Sequence, residues 1–125
     1  MTHPRVAPRL VLAELGSEWT DGPSGELVAL ARALRDAGAE VVHGGAMASV
    51  EAVAGIVEQE DPAALVLGLG AGQEMEATPD QVAEVAELVA TLPGLPVYGL
   101  GELARSAGLP ALPADLTRAL AALRR

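Results

Sequence analysis

The stretch AALVLGLG, residues 63–70, contains no charge and no side chain that can hydrogen-bond. Eight residues are too few for a buried helix of ordinary length, and a half-exposed strand would alternate apolar with polar residues. An unbroken apolar run therefore predicts a strand covered on both faces, as in a parallel sheet. Such a strand needs helices on either side of it, and the flanking segments can supply them. SVEAVAGIVEQE (49–60) brings Val50, Val53, Ile56 and Val57 onto one helical face behind the capping residue Ser49. TPDQVAEVAELVATL (78–92) opens on Thr78, with Pro79 at the first helical position.

The same alternation runs through the rest of the chain. APRLVLAEL (7–15) reads as a first strand, and SGELVALARALRDAGAE (24–40) as a helix with Leu27, Leu30, Ala31 and Leu34 inward, Ser24 as cap and Gly38 as stop. EVVHG is a second strand, LPVYGLG (95–101) a fourth and LPALP a short fifth. Short helix ELARSAG (102–108) and closing helix ADLTRALAALRR complete the series, with Arg124 and Arg125 at the negative end of the last helix. Five strand–helix units with short connections predict one domain over 1–125. Its expected fold class is α/β: a flavodoxin-like, doubly wound, five-stranded parallel sheet of order 2-1-3-4-5 in a three-layer α/β/α sandwich. Ligands of such sheets bind beyond the C-terminal strand ends, at the switch between strands 1 and 3. Three segments face that place: ELGSEWTDGPSGE (14–26), GLGAGQEMEA (68–77) and YGLGE (98–102).

Composition removes several chemistries. The chain has no cysteine, hence no disulfide, thiolate metal site or cysteine nucleophile. All of its basic residues are arginine, so no lysine can act in catalysis. A formal charge of −9 opposes contact with nucleic acid or anionic membranes. No apolar run approaches the roughly 20 residues of a membrane span, and the expectation is an acidic, cytoplasmic protein. Phe is absent and Trp and Tyr occur once each, leaving Ala, Val and Leu to build the core.

In order and spacing, PRLVLAELG, ALRDAGAEVVHGG, SVEAVAGIVEQEDPAALVLGL and ARSAGLPALPADL resemble the cobalamin-binding domain of methylmalonyl-CoA mutase and related mutase small subunits, over nearly the whole chain. The resemblance implies a module that positions cobalamin and docks on a separate large subunit, the cofactor supplying the radical chemistry. It therefore implies an isomerase subunit rather than an enzyme acting alone. The family motif Asp-x-His-x-x-Gly after strand 1 is missing: residues 16–25 contain no histidine in any register. The Ser-x-Leu after strand 3, whose hydroxyl meets the nucleotide tail in that family, is replaced by Gly68-Leu69-Gly70. The resemblance thus implies cobalamin held without histidine ligation.

The expected cofactor-binding residues are Ser17, Trp19, Asp21 and Ser24 in the opening loop, Gly68 and Gly70 after strand 3, and Tyr98, Gly99 and Gly101 at strand 4. The glycines leave room above the sheet, and the two aromatic rings can anchor a flat ligand or a partner. His43, placed at the end of strand 2, reads as a surface residue. No catalytic or metal-ligating residue is expected. Two other readings stay open: a non-binding interaction or regulatory module, partnered by a mutase large subunit or by further copies of itself, and a flavin or nucleotide-phosphate binder. In the latter, Ser17, Thr20 and Ser24 would cradle phosphate at the first helix's N-terminus, against the charges of Glu18, Asp21 and Glu26. A phosphoacceptor receiver could begin its acidic cluster at Glu14 but lacks the lysine it needs.

Overall fold

The computed structural model describes residues 7–15, 25–47, 49–69 and 77–123. In chain order the elements are β1 (Arg9–Leu15), α1 (Gly25–Asp36), β2 (Glu40–Met47), α2 (Val50–Glu60), β3 (Ala64–Leu69), α3 (Pro79–Thr91), β4 (Val97–Gly99), α4 (Glu102–Ser106) and α5 (Leu116–Leu123). The strands form one all-parallel sheet of order β2-β1-β3-β4.

The central run behaves as its composition requires. Leu65, Val66 and Leu67 of β3 are each 0% exposed, and full burial of such side chains is worth about 1.5–3 kcal/mol apiece. Alternation along the strands divides the core in two. Val11, Ala13 and Leu15 of β1 join Leu65, Leu67 and Leu69 of β3 under α2, α3 and α4. Leu10 and Leu12 join Ala64 and Val66 under α1 and α5, which contribute Leu27, Ala31, Leu34 and Leu120. Helices thus cover both faces, the arrangement that right-handed parallel crossovers produce.

Local chemistry fixes the helix ends. Ser49 accepts a hydrogen bond from the Ala52 amide at 3.3 Å. Thr78 and Gln81 form a reciprocal capping box, with bonds of 2.9 and 3.2 Å. Gly38, at φ 106°, closes α1: its amide donates to Arg35 and the Ala39 amide to Leu34, the paired bonds of a Schellman ending.

The structure corrects the expectation of five strands to four. Segment 109–113 contributes a single bridge, Ala111 opposite Gly99, with the Gly99 amide donating to Pro110 O at 2.9 Å. Pro110 and Pro113 have no amide hydrogen, so this piece cannot sustain a ladder. β4 is also shorter than 95–101. Pro96 precedes it, and Gly101 turns to φ 56° just beyond it. β2 is longer than EVVHG, because its register shifts between Leu12 and Ala13 of β1: Leu12 pairs with His43 and Ala13 with Gly45. Gly44 is the extra residue of this bulge, and a Cβ there would lie 3.2 Å from Ala13 Cβ.

Candidate functional site

The strand order reverses between β1 and β3, and the C-terminal ends of these two strands define the candidate edge. There Glu14 stands opposite Gly68, and Leu15 opposite Leu69. Glu14 is the one buried charged side chain among the described residues, at 0% exposure. It follows Leu10 and Leu12 in the alternation of β1, which turns it toward the α1 and α5 layer, and its neighbour on β3 is a glycine without a side chain. Burial of a carboxyl group in such surroundings costs several kcal/mol before any compensation. Sequence reading weighed Glu14 only as the start of an acidic cluster. The available signal was its phase: a lone acidic residue at an inward position of an otherwise apolar strand.

Of the expected site residues, Ser17, Trp19, Asp21, Ser24 and Gly70 lie outside the described residues. Gly68 is buried in β3 at the candidate edge. Tyr98 is half-buried, pairs with Val66 and packs against the cluster under α1 and α5. It therefore sits two residues, about 7 Å, below the level of Gly68. Gly99 is buried for a different reason from the one expected. A Cβ on it would approach the Cα and N of Ala104 to 2.6 and 2.8 Å, so α4 takes up the space that its missing side chain leaves. Gly101, at φ 56° and ψ −136°, occupies the position before α4 and turns the chain from β4 into that helix. Only glycine adopts such a conformation without strain.

His43 lies in the middle of β2, because the bulge carries that strand on to Met47. It pairs with Leu12, two positions short of Glu14, and is exposed. Partial loss of surrounding water, with repulsion from Arg35, lowers its pKa below the ordinary 6.5. Among the described residues no group of three or more His, Asp or Glu side chains is placed to hold a metal ion, and no helix is long and apolar enough to cross a membrane.

A pronounced concavity, of about 720 Å³, opens at the opposite, N-terminal edge of the sheet, bordered by Arg9, Glu40, Asp61, Pro62, Pro96 and Leu123. Its one basic residue among those described is already engaged. Arg9 Nη1 donates to Glu60 O at 3.0 Å and Nη2 pairs with Glu40 at 3.1 Å, tying β1, β2 and the end of α2 together. With Glu40 and Asp61 beside it, the described residues of this groove offer no free positive group with which to hold an anion.

No family model matches the chain, and no curated protein matches it.

Proposed function

We propose that the chain is a cobalamin-binding-domain-like module that holds a corrinoid on the C-terminal edge of its sheet, without histidine ligation, for a partner mutase subunit. One observation carries this reading: the C-terminal ends of β1 and β3 meet at the reversal of strand order, where Gly68 on β3 adds no side chain to the edge. The corrinoid supplies radical chemistry when bound, and the protein's part is to bind and orient it. A histidine-ligated mode does not fit these residues. The sole described imidazole, His43, is on the outer strand below the edge. A corrinoid held without histidine would lie over the C-terminal ends of β1 and β3, beside Gly68.

A second reading is an interaction module without cofactor. It is favoured by the close filling of the space between sheet and helices, where Leu10, Leu12, Leu27, Leu34 and Leu120 are all at most 1% exposed and leave no slot for an inserted group. The flavin reading is disfavoured by the acidic residues Glu18, Asp21 and Glu26 that the sequence sets around the start of α1.

The test is incubation with hydroxocobalamin or adenosylcobalamin, gel filtration and the visible spectrum of the protein peak. Retained corrinoid lacking the signature of histidine ligation is the expected result. Retention with that signature overturns the histidine-free mode, and no retention at all favours the interaction module.

A further inference from the structure

Parallel crossovers return each helix against the direction of the strands, so helix C-termini gather at the N-terminal edge of the sheet, away from the corrinoid edge. Three of them border the groove of about 720 Å³ found there: α2 through its capping residue Asp61, α3 through Gly94 and Leu95 just beyond its end, and α5 through Ala122 and Leu123. The C-terminal end of a helix carries about half an elementary negative charge, which a basic residue in the last turn commonly offsets. Neither α2 nor α3 has such a residue. Asp61 adds a full negative charge: it is exposed and forms no ion pair with a described residue. Arg9 does not cancel this field. Glu40 balances its charge at 3.1 Å, one N–H is given to Glu60 O at 3.0 Å, and its Nε is out of reach of solvent. Between these groups the wall is apolar, built in part from Leu95, Pro96 and Leu123, and the volume falls within the roughly 300–1,000 Å³ of small-molecule sites.

We propose that this groove is a binding site for a small organic cation: a guanidinium or ammonium group on a short aliphatic stem, with the charge beside Asp61 and the helix ends and the stem along Leu95, Pro96 and Leu123. Such a group is all donors, and it meets a carboxylate and carbonyl-bearing helix ends, which are all acceptors. An anion would meet only negative charge, and a neutral analogue would gain nothing from it. The site goes beyond the corrinoid reading and stands apart from it, on the opposite edge of the sheet. Asp61 also allows a clean test. Its φ of 46° lies in the left-handed region, which asparagine and glycine tolerate as well, so the charge can be removed with the backbone kept.

The probes are butylguanidinium and butylurea, close in shape and differing by one charge. Each is titrated into isotope-labelled wild type, Asp61→Asn and a double variant, Arg124→Gln with Arg125→Gln, that removes the chain's own cations next after Leu123; amide NMR shifts report the binding. In wild type, butylguanidinium is expected to shift the amides of Asp61, Ala63 and Leu95 saturably, and to lose affinity as salt is raised. Butylurea, and butylguanidinium with Asp61→Asn, should bind at least about threefold more weakly, the scale of an exposed charge pair. Asp61→Asn should melt within about 5 °C of wild type; should it melt lower, Asp61→Gly takes its place in the comparison. Equal binding of the two probes, equal binding by wild type and the Asp61 variant, or shifts confined to other parts of the protein would each overturn the proposal. Binding by the double arginine variant alone would overturn it too, by making the chain's own arginines the occupant of the groove. None of these outcomes touches the corrinoid reading, which the cobalamin incubation tests separately.

Discussion

Gly99 packs its bare Cα against the backbone of Ala104, so closely that an added Cβ would come to 2.6 Å from Ala104 Cα and 3.0 Å from its Cβ. Backbone atoms of a helix cannot rotate away as a flexible side chain can. Gly99→Ala should therefore push α4 off β4 and cost about 1–3 kcal/mol, the range for overpacking a well-filled core. Urea denaturation followed by circular dichroism measures this directly. An unchanged midpoint would mean that α4 is not held against β4 as described.

The same substitution at Gly55 should act in the opposite direction. Gly55 is exposed in the middle of α2, and a Cβ there meets nothing within 4 Å. Alanine relieves the entropy that glycine loses in a helix, and Gly55→Ala should stabilise the protein by about 0.5–1 kcal/mol. A higher urea midpoint with unchanged slope is the expected result.

These two glycines mark how far the sequence could be read. Apolar runs and their periods disclosed β3, the inward faces of α1 and α2, and the caps at Ser49 and Thr78, because each is written within a few consecutive residues. Glycine in a strand has no such local meaning. Gly99 reads as room for a ligand, and the close approach of Ala104 that fills this room exists only once α4 is folded back. The extension of β2 past His43 depends on a bulge set by its pairing with β1, which no window on residues 40–47 contains. The fifth strand was over-read from two leucines and an alanine, although Pro110 and Pro113 had already removed the hydrogens that a ladder needs. At the candidate edge, the inward phase of Glu14 was legible but its complete burial was not, since that depends on neighbours contributed by other elements.

His43 gives the fold a modest dependence on pH. Its folded-state pKa is lowered, first by desolvation and then by Arg35, so the unfolded chain takes up the proton more readily. Stability from this residue is then fully present above pH 6.5, the unfolded value, and is lost as pH falls toward the lower folded value. The ring is exposed, and solvent screening keeps the effect small. His43→Gln should flatten the change in urea midpoint between pH 7.5 and 5.5, leaving the part due to other groups. An NMR titration should show an imidazole resonance, absent from the variant, with a midpoint below 6.5. A midpoint at or above 6.5 would contradict the environment described.

Tyr98 separates a packing role from a contact role for the ring on β4. The ring is half-buried against the cluster that includes Leu12, Val66 and Leu120, with Leu100, Leu112 and Leu116 also packed on that cluster. Truncating a fully buried aromatic costs about 3–5 kcal/mol, and half-burial should reduce this to about 1.5–3 kcal/mol for Tyr98→Ala. Tyr98→Phe keeps the ring and should stay within about 0.5 kcal/mol of wild type, a change too small to follow from lost packing. Urea denaturation of both variants, with sedimentation velocity on the same samples, distinguishes the two roles. A large loss of stability in Tyr98→Ala with unchanged sedimentation places the ring in the core. Unchanged stability with a lowered sedimentation coefficient would instead make Tyr98 an anchor for another chain, and the packing described between β4 and α5 would then need to be redrawn.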